Sequence, residues 1–212
     1  MKVVSINVGL PRRVPWRGRT IETSIFKAPV AGRVHIRHHN IDGDEQSDLS
    51  VHGGADKAVY AYPTEHYAFW GRELPDAALP WGAFGENFST EGLLEHDVCI
   101  GDRYRVGTVE LVVTQPRTPC YKLGIRFGRS DMVKRFQQSG RSGFYLAVEQ
   151  EGEAGAGDIV ERLARDERRL TVAEVAALYA ADSPDRALLE RASEHPSLPV
   201  GWREMFGRRL SA

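Results

Sequence analysis

Apolar and polar residues alternate along the first two thirds of the chain in short runs that glycine and proline interrupt. Residues 2–8 predict a first strand, ended by Gly9-Leu10-Pro11, and a basic loop, RRVPWRGR, leads to a second at 20–27 and a third at 32–38. Residues 58–62 form a continuous apolar run, and 108–114 place Val109, Leu111 and Val113 on one face, as a half-buried strand does. Two short helices interrupt the series. One spans 64–71, with Thr64 as N-cap and Tyr67 and Trp70 turned inward, and the other spans 131–138, capped by Ser130 and stopped by Gly140 before a strand at 143–149. Strands of this length and spacing predict a mainly β domain, a barrel or sandwich, in place of a parallel βαβ sheet.

Beyond Gly157 the period changes. Thr171 and Glu174 form a capping box, and Val172, Val175, Ala176 and Tyr179 make a stripe at helical spacing. A second helix starts at Ser183-Pro184 and a third at Pro199, with Trp202, Met205 and Phe206 facing inward. The expected organisation is a β domain over 1–165 and a three-helix domain over 166–212. So small a bundle makes a weak core alone and is expected to dock on the β domain or on another subunit.

Composition narrows the function classes. The chain has 212 residues, 42% of them hydrophobic, and a net charge of -1 from 28 basic and 29 acidic side chains. That balance provides no overall field for nucleic acid or an anionic membrane, and interspersed charges in the C-terminal helices argue against helix-turn-helix DNA binding. The N-terminal apolar run is too short and interrupted for a signal peptide, so a cytoplasmic protein is expected. Two cysteines without a CxxC pair exclude a disulfide framework, a four-cysteine zinc site and an iron–sulfur cluster held by this chain alone.

Candidate chemistry centres on Cys120 in the stretch TQPRTPCYKL. Pro116 and Pro119 end the strand and hold the backbone extended, while Arg117, Lys122 and Arg126 surround the thiol with positive charge, which favours the thiolate. Cys99, inside the apolar stretch around Val98 and Ile100, reads as core. His35, His38 and His39 resemble a metal cluster only loosely. The acidic run from Asp42 fails as a calcium loop because Ser47 and Gly53 occupy the positions that need Gly and Glu. In VHGGADK, Gly53 and Gly54 with Lys57 read either as a turn into the next strand or as a turn that also cradles an anion. Gly82 to Phe88 combines glycines with Glu86 and Asn87, a polar pair suited to a heteroaromatic ring, and Arg141-Ser142-Gly143 offers a further guanidinium and hydroxyl.

Taken in order, VHGGADKAVY, GAFGENF and QPRTPCYKL, followed by the helical tail, resemble the MOSC family and its YiiM-like group over nearly the whole chain. The resemblance implies a MOSC-type β-barrel with short helices, a pterin-type molybdenum cofactor and Cys120 as the ligand to molybdenum. It further implies reduction of N-hydroxylated compounds, such as hydroxylaminopurines and amidoximes, by oxygen-atom transfer to molybdenum. Expected cofactor contacts are His52, Gly53, Gly54 and Lys57, then Gly85, Glu86 and Asn87, then Arg117, Thr118, Lys122, Arg141 and Ser142. Because the chain has no dinucleotide fingerprint, no haem motif and too few cysteines for its own cluster, a separate flavin or iron–sulfur reductase is expected to supply electrons. Relatives suggest a homodimer. Two other readings compete: a metal-free thiol enzyme with His52 as base to Cys120, and a non-catalytic carrier of the cofactor or of sulfur.

Overall fold

The computed structural model of the protein describes residues 1–47 and 53–211. Twelve strands are present among them: β1 Lys2–Val8, β2 Arg12–Trp16, β3 Arg19–Thr23, β4 Ala28–Pro29, β5 Arg33–Ile36, β6 Val59–Pro63, β7 Phe88–Glu91, β8 Arg103–Val106, β9 Val109–Pro116, β10 Phe144–Gln150, β11 Gly152–Gly155 and β12 Val160–Ala164. Eight of them form one sheet in the order β12-β8-β9-β10-β6-β7-β1-β4, in which β6 and β7 run parallel and the other pairs antiparallel. The sheet curls until its ends meet. Val3 donates to the Asp158 carbonyl at 2.9 Å, Gly157 donates to Val3 at 2.8 Å, and Val160 donates to Met1 at 3.0 Å, so β1 is hydrogen-bonded to the segment that enters β12. Closure removes the exposed edges that an open sheet would carry.

The alternation in β9 buries Val109, Leu111 and Val113 completely, and these side chains face Ile6, Ala61, Phe88 and Phe144 inside one apolar core. A second cluster lies outside the barrel, where Tyr62, Phe84 and Phe136 surround Trp70. Its rings sit in tilted or stacked contact, Trp70 and Phe136 with centroids 5.9 Å apart.

Among the described residues six α-helices accompany the sheet: α1 Glu65–Glu73, α2 Tyr121–Phe127, α3 Met132–Ser139, α4 Val172–Ala180, α5 Arg186–Ser193 and α6 Val200–Leu210. The capping box of α4 forms as its sequence dictates, Thr171 Oγ1 accepting from Glu174 N and Glu174 accepting from Thr171 N. The helical tail docks on the barrel: Leu170, Val172, Val175, Leu189 and Phe206 belong to the same apolar core as β9 and β10. Backbone bonds from Ile100 to Leu170 and from Val172 to Val98 stitch the two parts together.

Some boundaries differ from the sequence expectation. The basic segment read as a loop is strand β2, paired with β3 through the turn Arg17-Gly18, both of whose residues have positive φ, 49° and 74°. That is the turn geometry whose twist matches a hairpin, here without the usual Asn-Gly signal. The strand expected over 20–27 ends at Thr23, and the following residues turn away toward a cleft. Thr64 is itself helical and makes no side-chain cap bond, and Asp131, in place of Ser130, precedes α3. Helix α2 has no counterpart in the sequence reading. Among the described residues no helix is long and apolar enough to cross a membrane.

Candidate functional site

β9 delivers the site. It ends at Pro116, after which Arg117, Thr118 and Pro119 lead outside any helix or strand to Cys120, which is extended (φ -114°, ψ 172°) and stands at the N-cap position of α2. Proline stops the ladder and the next helix begins at once, so the thiol stands half-buried between a strand end and a helix start. The positive end of the helix dipole faces it.

The cleft in front of Cys120 has about 690 Å³ of open space, mouth included. Four separate stretches wall it: Thr23 to Lys27 after β3, Asp44 to Ser47, Gly53 and Lys57 before β6, and the Arg117 to Lys122 segment, with Tyr60, Tyr145, Gly85 and Asn87 completing it. Arg117 is 8% exposed, its guanidinium 4.8 Å from the Tyr60 ring and 5.1 Å from the Phe136 ring, and it donates to the Tyr60 hydroxyl at 3.5 Å. Burial alone would push this guanidinium down, but the Tyr60 and Tyr145 oxygens and the Cys120 sulfur more than offset it, so the group stays cationic. Tyr60 in turn donates to the Ser142 carbonyl at 2.9 Å. Burial holds the Tyr60 and Tyr145 phenols protonated, since it pushes both above their ordinary value despite the opposing Arg117 charge.

Two of the remaining charges pair with each other. Lys27 pairs with Asp44, which also accepts from Gly9 N at 2.8 Å and Asn87 Nδ2 at 2.9 Å. Burial lowers Lys27 and the Asp44 carboxylate partly restores it. Because that pair is internally neutral, Lys57, Arg117 and Lys122 leave the lining cationic, with the exposed Glu45 the acid that remains. Lys122 is buried and donates to Ser47 Oγ at 2.9 Å. Ser24 Oγ is buried, lines the same cleft and has no hydrogen-bond partner among the described residues. An unsatisfied hydroxyl in such a place calls for a ligand or water.

Of the residues singled out in the sequence, Cys120, Gly53, Lys57, Gly85, Asn87, Arg117, Thr118 and Lys122 line the cleft together. Asn87 is already occupied, its Oδ1 accepting from Tyr60 N at 3.1 Å. Glu86, Gly54, Arg141 and Ser142 stand outside the lining, and His52 lies outside the described residues. The Glu86 carboxylate is fully buried and accepts from Gly82 N at 2.8 Å, Phe84 N at 3.1 Å, Ser89 Oγ at 2.9 Å and the Tyr67 hydroxyl, so it holds its own loop. Burial pushes it upward and these donors restrain it. Arg141 lies over the Phe69 ring at 3.8 Å and donates to the Ser139 carbonyl. Ser142 sits beside a second, more apolar cavity bordered by the 116–119 segment, which Trp202, Tyr179 and Phe136 also line. Ser24, Lys27, Asp44, Tyr60 and Tyr145 were missed by motif reading, because long-range pairing alone brings them to Cys120. Cys99 is buried, with Arg165 Nη2 3.6 Å from its sulfur.

Two family models match separate stretches of the chain. The family model for the MOSC domain matches residues 48–161, and that for the YiiM-like, 3-alpha helix domain matches residues 170–212. Uncharacterized protein YflK of Bacillus subtilis (strain 168) is 40% identical over 207 residues, which is 98% of this chain and 93% of YflK. A protein of Gibberella moniliformis (strain M3125 / FGSC 7600) named Reductase is 34% identical over 182 residues, 84% of this chain but 32% of that protein. The crystal structure of YiiM from Geobacillus stearothermophilus superposes with a TM-score of 0.83 at 37% identity, covering 99% of this chain and 98% of that one.

Proposed function

The chain belongs to the MOSC family, in its YiiM-like group, and from that premise we propose that it is a molybdenum-cofactor oxidoreductase that reduces N-hydroxylated compounds. The observation that carries the reading is the cleft itself, one thiol set in a cationic wall. Among the described residues no three His, Cys, Asp or Glu gather to hold a metal unaided, so a metal bound at Cys120 would need the rest of its ligands from a cofactor. The donor set fits a pterin-type group: a single thiolate, three cations for a phosphate and polar ring edges, and the orphan Ser24 hydroxyl. The Gibberella relative's name, Reductase, supports redox chemistry.

When bound, the cofactor supplies two-electron oxygen-atom chemistry, so that an N–OH compound, two electrons and two protons give the N–H compound and water. The chain's residues do the rest. Cys120 anchors the metal. Arg117, locked between two rings, and Lys57 and Lys122 orient the anionic parts, while Gly53 and Gly85, at φ 102° and 81°, let the backbone approach closely. The protonated Tyr145 phenol is a hydrogen-bond donor at the cleft wall, placed to orient a polar substrate, while Tyr60, whose hydroxyl donates to the Ser142 carbonyl, can only accept there. Electrons come from a separate flavin or iron–sulfur protein.

The test is production in a cofactor-competent host, followed by metal analysis, pterin fluorescence and benzamidoxime reduction by reduced methyl viologen. Wild type is expected to hold near-stoichiometric molybdenum and to turn over. Cys120→Ala is expected to lose both metal and activity, and Cys99→Ala to keep both. Absence of molybdenum and pterin from wild type would sink the reading in favour of metal-free thiol chemistry. Bound cofactor without turnover would leave a carrier.

A further inference from the structure

We propose that the arginine-rich β2–β3 hairpin beside the cleft is the docking surface for an acidic electron-transfer protein, an inference that rests on the reductive function above. The hairpin exposes Arg12, Arg13, Arg17 and Arg19, and its acidic residue, Glu22, is 3.7 Å from Arg13. The whole chain carries a net charge of -1, so this cluster is a local concentration against a slightly acidic molecule. Arg126 of α2 adds to it. The Arg12 and Arg126 guanidinium carbons stand 3.3 and 5.5 Å from the centroid of one ring, that of Phe26. Neither has an ion pair or a hydrogen-bond acceptor among the described residues, and Arg126 Nε is buried without one. Two like charges on one ring repel, and an incoming carboxylate relieves that repulsion.

Position ties the patch to the site. The chain leaving β3 supplies Thr23, Ser24, Ile25 and Lys27 to the cleft wall. At the other end of the hairpin, a Trp16 ring carbon lies 3.7 Å from where a Cβ on Gly124 would stand, in the helix that Cys120 caps. A protein seated on these arginines covers the cleft's rim. The chemistry requires two electrons per N–OH group reduced, and this chain has no dinucleotide fingerprint and no cysteine pair to collect them. In the Gibberella protein the matched region is 32% of the length, so there the same module is joined to a larger stretch of chain. A module not joined to its donor needs a transient complex, and opposite charges on a small interface provide that through fast, steered association. The patch is one hairpin wide on a molecule whose net charge is -1, which suits an acidic protein face better than the long phosphate track of a nucleic acid.

The test uses flavodoxin and a plant-type ferredoxin as acidic donors, with the full-length protein and its Arg12→Gln/Arg17→Gln/Arg19→Gln variant. Binding is measured by surface plasmon resonance at about 0.01 and about 0.15 M ionic strength, between which the Debye length falls from roughly 30 to roughly 8 Å. At the lower ionic strength wild type is expected to bind at least one donor about tenfold more tightly than the variant, and salt is expected to remove the difference. Glu22→Gln is expected to tighten binding. On cofactor-loaded protein the variant is expected to slow donor-driven benzamidoxime reduction and to leave viologen-driven reduction unchanged. Equal affinities, salt-independent binding, an equal loss with viologen, or a DNA duplex bound more tightly than either donor would overturn the proposal. If loaded wild type fails with viologen, the reductive function fails, while the binding comparison still judges the surface.

Discussion

At the scale of single residues, the site depends on side chains whose charge is set by what encloses them. Arg117 is the clearest case: its guanidinium is buried between Tyr60 and Phe136, and its long bond to Tyr60, at 3.5 Å, adds little to stability. A buried guanidinium with no carboxylate partner keeps its desolvation cost, so an apolar side chain of similar volume is tolerated in its place. Arg117→Met is therefore expected to keep the thermal midpoint within a few degrees while cofactor affinity falls on the order of ten- to a hundredfold, the loss of one charge-assisted contact. Thermal melts and molybdenum content of the purified variant check this, and full occupancy would remove Arg117 from the site. Cys120, Lys57 and Arg117 were legible in the sequence because each lies within a short motif. Ser24, Asp44 and Tyr145 were not, because nothing local distinguishes a serine or tyrosine that lines a cleft from one that packs.

Among the elements, α2 and the β2–β3 hairpin matter most and were read least well. Arginines and Pro15 disguised β2, yet in a two-stranded ribbon proline is tolerated where its missing N–H faces outward. Helix α2 was hidden behind Pro119, although a helix beginning directly after a proline-stiffened stretch is what turns Cys120 toward the cleft. Its placement depends on Gly124, where a Cβ would fall 2.7 Å from the Arg129 carbonyl oxygen. Gly124→Ala is expected to cost about 1–3 kcal/mol, because backbone must move to admit the methyl group. It should also lower cofactor occupancy by shifting Cys120. Urea unfolding and metal analysis together test it; an unchanged midpoint would show that α2 is free to adjust.

For the molecule as a whole, the junction between barrel and helices carries a pH dependence. His195 is fully buried, its Nδ1 accepts from Ser197 N at 3.3 Å, and its Nε2 therefore carries the proton donated to Asp166 at 3.2 Å. Burial lowers this imidazole below its ordinary value of 6.5, and Arg168 and Arg191 add to the effect while Asp166 opposes it. The unfolded chain then takes up a proton that the folded chain refuses. Its stabilising contribution is intact above pH 6.5 and is lost as pH falls from there through the lower folded value. His195→Gln is expected to flatten the fall in unfolding midpoint between neutral and mildly acidic pH, whatever its effect on the midpoint at neutrality. Parallel slopes in calorimetry would count against the assignment.

Alternation, proline and glycine placement and the capping box are local signals, and they were enough to establish a β domain followed by three helices and to single out Cys120, which lines the cleft. Those signals act over a few residues, through backbone sterics and short hydrogen bonds. The closing of the sheet, the docking of the helices on the barrel core and the gathering of four distant stretches around Cys120 depend on burying apolar surface between segments far apart in sequence. Tertiary structure alone decided them, and with them that Glu86 supports its own loop while Ser24 and Tyr145 face the cleft.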